Sequence, residues 1–290
     1  PLFYIYNFFV SLLVIVLFTE YKEKLFKITY KAVIISVFIQ ILMYVINGGY
    51  TGGRMTGGFN NPNQLGYYSL LVISILMFLS NRINVKVKWF ILAIFSSLLL
   101  SFASLSKAAI LSSVGLIFFF ILSKNNNKKF KRRIISICVL IVLVFTYVYQ
   151  TTDIIQENQL LQSVKNRISS IGKDNDDSPE GRGYDRITEF PEYWIFGSGE
   201  GEFRRFGMEM EFHSTLGNIQ VSYGIIGLIL FLSILYLSLR NDGFKSWYII
   251  AFIMIYGLTH NGIRNSMLWI LLSLVLMEAS PSESKKLDVV

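Results

Sequence analysis

The sequence predicts an all-α fold: a polytopic bundle of transmembrane helices that carries one large external loop. Hydrophobic residues make up 53% of the chain and charged residues only 16%, whereas about a quarter of the residues of a soluble domain are charged. The mean hydropathy is +0.50. The apolar residues fall in long blocks rather than in amphipathic stripes, and a membrane-spanning helix needs about 20 mostly apolar residues.

About nine such blocks follow one another, and we interpret each as a span. They lie near residues 2–19, 32–48, 64–80, 89–105, 108–123, 134–150, 215–239, 246–260 and 266–280. The first residue is Pro1 and no signal peptide follows it, so we expect an N-terminally truncated chain with further helices upstream. The predicted organisation is six spans in 1–150, the large external loop in 151–214, three spans in 215–280 and a cytoplasmic tail in 281–290.

Lys and Arg residues concentrate in alternate loops. A net charge of +8 could by itself indicate a nucleic-acid-binding protein, but the distribution of the charge favours a different explanation. Five segments hold 17 of the 27 basic residues: 21–31, 81–88, 123–133, 240–245 and the tail after 280. The other loops carry more acidic than basic residues. Basic loops stay in the cytoplasm, so we predict that these five segments are cytoplasmic and expect no nucleic-acid partner.

Neither a disulfide nor a metal site is expected. Cys138 is the only cysteine and lies within an apolar block, so we interpret it as a small buried hydrophobic residue. The sequence contains no His, Cys and Asp cluster with ligand spacing. It also lacks a phosphate-binding glycine loop ahead of a GK[ST] motif. We therefore expect no metal and no cofactor.

Two helices are predicted in the large external loop. Residues 154–171 place apolar side chains at intervals of three and four, which is typical of an amphipathic helix on a membrane or bundle surface. Residues 178–180 read Ser-Pro-Glu, a hydroxyl cap followed by proline and an acid in the first turn. The second helix should start there and run to Phe190, because Pro191 follows.

Arg182 and Arg186 would share one face of that second helix, because they are four residues apart. Guanidinium groups suit phosphate oxygens, so the pair is a candidate clamp for an anionic ligand. Local neutralisation by Asp185 and Glu189 is the alternative. The glycines of 196–203 allow tight turns or a close approach of the backbone.

Both histidines of the chain lie beside apolar blocks on the predicted external side. Ser214 or Thr215 can cap the helix that starts after His213. The positive end of a helix dipole favours the neutral imidazole, which is the form that acts as a general base. His213 is therefore a candidate base. A histidine at the membrane interface without chemistry is the alternative, for His213 and for His260.

Four stretches between residues 50 and 240 follow a characteristic order. They are GGRMTGGFNNPNQLGYYS at 52–69, SFASLSKAAILSSVGLIFFFI at 101–121, FGSGEGEF at 196–203 and EFHSTLGNIQVSYGIIGLILFL at 211–232. In order and spacing this set resembles the O-antigen ligase and polymerase superfamily, closest to the polymerases of capsular or exopolysaccharide repeat units. Arg186, ten intervening residues and Gly197 also fit the Arg-x10-Gly pattern of those polymerases.

The resemblance implies a membrane glycosyltransferase of the GT-C type that needs no nucleotide, metal or cofactor. It would move glycan from an undecaprenyl-diphosphate-linked oligosaccharide donor to an acceptor hydroxyl, on the outer face of the plasma membrane. The acceptor of a polymerase is itself an undecaprenyl-diphosphate-linked oligosaccharide. Membrane lipids, a chain-length regulator and a flippase are the further partners that the resemblance suggests.

Site residues follow from the resemblance by position. His213 matches the external histidine proposed as base, Arg182 matches the arginine of the loop helix, and with Arg186 they form the candidate catalytic set. Lys107 stands where the family more often has arginine, which keeps the charge but loses the bidentate fork. The candidates for binding substrate or diphosphate are Lys107, Arg54, Arg264, Asn61, Asn63 and Gly197.

Three alternatives to a polymerase stay open. A ligase of the O-antigen type would share the machinery and differ in its acceptor. A transporter or flippase for a lipid-linked sugar would need charges near mid-membrane and often an internal repeat, whereas the sequence shows no repeat and has its charges at the ends of the blocks. A non-catalytic assembly or sensor protein would make the arginine and histidine set incidental. The frequent Asn, Ile and Lys residues, typical of AT-rich and often Gram-positive genomes, favour the polymerase.

Overall fold

The computed structural model describes residues 2–47, 50–51, 54–124, 178–201, 203–207 and 212–278. Two short 3-10 helices, Pro191–Tyr193 and Phe203–Phe206, accompany the regular elements. The helices and strands are, in chain order, α1 (Leu2–Asn47), β1 (Tyr50–Thr51), β2 (Arg54–Met55), α2 (Pro62–Ser80), α3 (Val87–Ala103), α4 (Lys107–Lys124), α5 (Asp185–Glu189), α6 (Thr215–Asn241), α7 (Trp247–Gly257) and α8 (Ser266–Leu276).

The described residues confirm a helical fold. The exception is one antiparallel pair of strands, β1 and β2, with two residues each. Three of the described helices, α1, α2 and α6, are long and apolar enough to cross a membrane. Helices α7 and α8 have 11 residues each, which gives a rise of about 16 Å against a hydrocarbon core of about 30 Å. The predicted number of nine spans and the extent of the external loop are therefore not confirmed. The block at 134–150 and the predicted helix at 154–171 lie outside the described residues.

The predicted loop at 21–31 is wrong, because this segment is helical and belongs to α1. Only Tyr21 departs from helical geometry, with φ −134° and ψ 34°. The segment contains no Gly or Pro, and the Lys27 ammonium lies 2.7 Å from the Glu23 carboxylate one turn away. Lys, Glu and Leu are good helix formers and such a pair adds support, so polarity alone did not indicate a loop here.

The two halves of α1, on either side of the break at Tyr21, run in opposite directions. Near its start, the Tyr4 hydroxyl donates a hydrogen bond to Glu200 in the loop ahead of α6. Just past the break, Lys22 pairs with Glu278 at the C-terminal end of α8, at 3.2 Å. Gln40, in the second half, accepts a hydrogen bond from the backbone just ahead of α2. Each half thus follows the course of one of the first two predicted spans.

Helix α2 is the centre of the bundle and packs against α1, α3, α4, α7 and α8. Asn61 caps its N-terminus and Pro62 occupies its first turn. Its sequence is apolar all round, which is typical of a helix buried on every side. A Cβ at Gly66 would lie 2.8 Å from Ser104 Oγ and from Ala109 Cβ. The missing side chain therefore lets α2 approach the turn between α3 and α4.

A buried ion pair holds the end of the bundle where α2 and α6 finish. Arg82 follows α2 and Asp242 follows α6, and their side chains are 9% and 0% exposed. The backbone N–H of Ser246 donates a second hydrogen bond to Asp242, at 2.6 Å, and the Arg82 guanidinium lies over the Phe78 ring. This pair joins two of the predicted cytoplasmic loops. We call this end of the bundle, which also holds the Lys22–Glu278 pair, the basic end.

Candidate active site

A cavity of about 430 Å³ lies at the end of the bundle opposite to the basic end. Its walls come from the start of α1, the segment that leads into α2, the residues just ahead of α6 and the loop between α7 and α8. The lining residues are Phe3, Phe59, Asn61, Asn63, Gln64, Tyr67, Phe212, His213, Tyr256, His260, Asn261, Gly262, Arg264 and Asn265.

Three helix N-termini converge on this cavity. Asn61, Ser214 and Asn265 are the caps of α2, α6 and α8, and each side chain accepts a hydrogen bond from a backbone N–H of the first turn, at 2.8, 3.2 and 2.9 Å. The cap at Ser214 confirms the helix start predicted after His213. The N-terminus of a helix carries a partial positive charge and favours anions. The three helices therefore add positive potential to one region.

Four asparagines of the cavity wall turn their carboxamide oxygens toward the protein. The oxygens of Asn61, Asn261 and Asn265 accept hydrogen bonds from backbone N–H groups, and that of Asn63 accepts one of 2.7 Å from Arg54. Their NH₂ groups are not used in these bonds. The NH₂ group of Asn261 is buried and has no hydrogen-bond partner among the described residues. The cavity wall is therefore rich in hydrogen-bond donors.

Arg264 adds a full positive charge to the same wall. Its backbone carbonyl accepts a 3.0 Å hydrogen bond from the side chain of Asn7 in α1. Its guanidinium lies 3.7 Å from the carboxylate of Glu200. The sequence reasoning assigned no role to Glu200. The sequence did contain one signal for it. Glu200 is a charged residue with a glycine on each side in FGSGEGEF, so no adjacent side chain accounts for its presence.

His213 lines the cavity directly ahead of the cap of α6. Its backbone N–H donates a 3.2 Å hydrogen bond to the carbonyl of Arg182. Its Nδ1 atom is buried and has no hydrogen-bond partner in the part of the chain that the structure describes. The ring thus carries a nitrogen that the described protein groups do not use, beside a cavity with donor-rich walls.

His260 differs from His213 because its ring is held by neighbours. Its Nδ1 atom lies 2.9 Å from the Thr259 hydroxyl. The ring stacks on Tyr256 at 4.8 Å, and Tyr256 in turn stacks on Tyr67 at 4.5 Å. These three rings form a column at the wall of the cavity. The column presents flat ring faces, and its last ring, His260, adds polar ring nitrogens at the edge.

Arg182 does not lie on a helix, so the predicted helix start at 178–180 is wrong. The hydroxyl of Ser178 does accept a 2.9 Å hydrogen bond from the N–H of Gly181, as a cap would. However, residues 179–184 form turns, and α5 begins only at Asp185. Gly183 has a φ of +81°, a conformation that interrupts a right-handed helix. Arg182 lies behind the cavity wall, where its guanidinium donates to the carbonyl of Thr259.

Arg186 is 2% exposed, and its guanidinium lies among aromatic side chains, whereas that of Arg182 reaches Thr259. Its guanidinium carbon is 5.9 Å from the centre of the Phe206 ring and 5.7 Å from that of Phe212. Burial lowers the pKa of Arg186, and Asp185 acts in the opposite direction. Phe212 also lines the cavity, so Arg186 supports the cavity wall from the outside.

Helix α6 is broken at Gly224, which has a φ of +66°. The loop at 194–199 completes the hydrogen bonds that the break interrupts. The carbonyls of Val221 and Ser222 accept bonds of 2.8 and 2.9 Å from loop N–H groups, and the N–H of Ile225 donates one of 2.7 Å back to the loop. Within a membrane, unsatisfied backbone groups cost several kcal/mol each. The loop therefore supplies the hydrogen-bond partners that the backbone of α6 lacks at the break.

Gly197 makes this close docking possible. Its φ is +75°, and an added Cβ would lie 2.3 Å from the backbone of Ser222. No side chain other than that of glycine fits there. Gly197 does not line the cavity, and its contact is with α6.

Arg54 and Lys107 are not among the residues that line the cavity. The Arg54 guanidinium reaches two groups, the carbonyl of Ser104 at 3.0 Å and the carboxamide of Asn63 at 2.7 Å. It thereby fixes a cavity residue to the turn between α3 and α4. Lys107 is the first residue of α4, directly after that turn, and is half-buried. The structure therefore places Asn61, Asn63, His213 and Arg264 in the wall, with Arg54 behind it.

Comparison with known proteins identifies a family but assigns no site residues. No curated protein matches the chain. Residues 90–232 match the family model described as O-antigen ligase. This range contains Lys107, Arg182, Arg186, Gly197 and His213. The apolar helices and this match indicate an integral membrane enzyme that acts on lipid-linked glycans. Residues 90–232 therefore carry an O-antigen ligase domain, which supports a place for this chain in the O-antigen ligase and polymerase superfamily.

Proposed function

We propose that the protein polymerises undecaprenyl-diphosphate-linked oligosaccharide repeat units into capsular polysaccharide or exopolysaccharide. The observation that carries this proposal is the donor-rich cavity, with three helix N-termini, carboxamide NH₂ groups and one guanidinium around a single space. A diphosphate has only acceptor oxygens and negative charge, so it matches these walls. The family match adds that the ligand is a lipid-linked glycan.

The donor is an activated ester, and its diphosphate is the leaving group. The bond between the anomeric carbon and the diphosphate oxygen breaks, and its electron pair leaves with the diphosphate. Fixed hydrogen-bond donors and cations stabilise the negative charge that develops in the transition state. Arg264 and the asparagine NH₂ groups have this role in our proposal, with Arg54 fixing Asn63. Lys107 extends the positive charge from the start of α4.

The acceptor hydroxyl must lose a proton as its oxygen attacks the anomeric carbon. We assign this proton to Nδ1 of His213, because that nitrogen is not used by any described protein group and the ring lines the cavity. A positioned base contributes about 10²–10⁴-fold to a rate. Arg182 determines where the ring lies, through its carbonyl, and Arg186 and Gly197 support the surrounding loop.

We place the cavity on the external face of the plasma membrane. The basic end brings together residues of three predicted cytoplasmic segments, Lys22, Arg82 and Asp242, and it also holds Glu278, which lies just ahead of the predicted C-terminal tail. Since basic loops stay inside, the opposite end faces outside. This is the side where a lipid-linked repeat awaits transfer after it has been flipped across the membrane.

A polymerase and a ligase of this superfamily differ in the acceptor. The deciding experiment supplies purified protein with an undecaprenyl-diphosphate-linked repeat as both donor and acceptor, without nucleotide or divalent metal. We expect a ladder of longer lipid-linked chains. Transfer to an added second acceptor, with no ladder from the repeat alone, would instead identify a ligase. If the donor is consumed in neither assay, the proposed function is wrong.

A further inference from the structure

Glu200 is a buried carboxylate in the loop that docks on α6. Its side chain is 7% exposed. A buried charge is costly unless it is paired and hydrogen-bonded. Glu200 meets this requirement with partners from three separate parts of the chain, and one of these partners is the cation of the cavity wall.

Three partners among the described residues contact one oxygen of the carboxylate. The Tyr4 hydroxyl of α1 donates a hydrogen bond to it, and the Asn218 NH₂ group of α6 lies 3.4 Å from the same oxygen. The Arg264 guanidinium lies 3.7 Å from it. Tyr4 is itself held by an edge-on contact with the ring of Tyr223, at 5.7 Å. The carboxylate is thus fixed from two sides by neutral donors and meets the cation on a third.

The backbone of the loop delivers Glu200 to this place. The N–H groups of Ser198 and Gly199 are bonded to α6 directly before it. Gly199 and Gly201, on either side, have φ values of +78° and +82°. These conformations favour glycine and turn the chain so that one side chain between them points inward. The loop backbone that docks at the break of α6 therefore also determines the position of Glu200.

We propose that Glu200 is a positioning residue that holds the Arg264 guanidinium toward the cavity, where it meets the diphosphate of the donor. This inference rests on the proposed function for the nature of the ligand. Long arginine side chains have many rotamers, and an ion pair with a fixed carboxylate restricts them. Misplacement of a positioning group by about 1 Å can reduce a rate about 100-fold.

The test is a double-mutant cycle with E200Q, R264Q and the double variant. E200Q keeps a side chain that can accept from Tyr4 and removes the charge that faces Arg264. We expect E200Q to lower kcat for chain extension by about 10- to 100-fold. In the R264Q background the same change should have little further effect, because the group that it positions is already gone. E192Q is the matched control, since Glu192 is exposed on the same loop, and its activity should equal that of the wild type.

A second measurement does not depend on transfer. Inorganic diphosphate should raise the melting temperature of the wild-type protein and of E192Q, and raise it less for E200Q and R264Q. Multiplicative losses of kcat across the cycle, or equal diphosphate stabilisation of E200Q and wild type, would overturn the positioning role. If wild-type protein forms no product, the proposed function fails, and the diphosphate cycle still decides whether Glu200 acts through Arg264.

Discussion

The carbonyl oxygen of Arg182 lies 3.2 Å from the backbone nitrogen of His213 and accepts its hydrogen bond. The same arginine reaches Thr259 with its guanidinium. One residue of the loop therefore holds the backbone of the candidate base and also the segment that carries His260. The two histidines of the chain are positioned relative to each other through Arg182.

His213→Gln should fold and insert normally and form little polymer. Glutamine is similar in reach but does not take up a proton, so the loss should be about 10²–10⁴-fold. The measurement is the rate of chain extension by purified protein. His260→Ala should be milder, because its ring nitrogen is engaged by Thr259 and we assign it no proton transfer. Equal rates for His213→Gln and wild type would show that the base is another group.

Arg182→Ala should lower kcat more than it changes KM. The substitution keeps the backbone bond to His213 but removes the contact with Thr259, so the two segments of the wall lose their connection. We expect a loss of about 10- to 100-fold, with partial recovery in Arg182→Lys. Arg240→Ala, an exposed arginine at the basic end, is the control. An unchanged kcat for Arg182→Ala would assign this arginine to structure alone.

Gly197→Ala should detach the loop from α6. The new Cβ would lie 2.3 Å from the backbone of Ser222, which no side-chain rotation can relieve. Gly207→Ala is a matched control, because Gly207 has a similar φ of +67° with nothing within 4 Å. We expect Gly197→Ala to be cleaved faster in the loop by added protease and to lose polymer formation. Similar behaviour of the two variants would mean that backbone strain matters and docking does not.

Asp242→Asn should destabilise the protein without a direct effect on the site. It leaves Arg82 buried without its counter-charge, and breaking a buried pair in this way costs about 3–5 kcal/mol. Thermal unfolding in detergent measures the effect. Glu23→Gln, which breaks the exposed Glu23–Lys27 pair, should leave the melting temperature unchanged. A melting temperature of Asp242→Asn equal to that of wild type would contradict the importance of the pair.

Cysteine labelling tests the orientation. In a Cys138→Ser background, Glu192→Cys and Lys245→Cys place single thiols at exposed positions on the loop and at the basic end. An impermeant maleimide added to intact cells should label the first and not the second. Labelling of Lys245→Cys alone would invert the orientation, and labelling of both would contradict the division of the loops into two sides.

Structural features that depend on residues within one helical turn were predicted well from the sequence. The cap at Ser214 depends only on a hydroxyl ahead of an apolar run. The helical nature of the apolar blocks follows from their length and composition. The predicted start of the helix at 178–190 was wrong, because a cap signal says nothing about glycines farther on and Gly183 interrupts the helix. Its predicted end ahead of Pro191 was right.

Long-range partners could not be predicted. Glu200 meets Tyr4 across 196 positions of sequence, and no periodicity indicates such a contact. Arg186 was predicted to face an anion because guanidinium groups suit phosphate oxygens. Its burial among aromatic rings depends on the fold of the loop around Phe206 and Phe212. The cavity itself joins residues from both ends of the chain, so only the fold reveals which of the candidate residues share it.

The docking of the loop on α6 has a consequence for the length of the segment between Arg186 and Gly197. Arg186 packs in the aromatic cluster that includes Val221, and Gly197 lies against Ser222, so the segment leaves and rejoins α6 at one helical turn. A closed excursion of this kind tolerates changes of side chain along its outer surface. It does not tolerate an inserted or deleted residue, because either end would then miss its place. The spacing of ten residues is thus the length of chain needed to leave this turn of α6 and return to it. It is fixed by geometry and not by the chemistry of the residues in between.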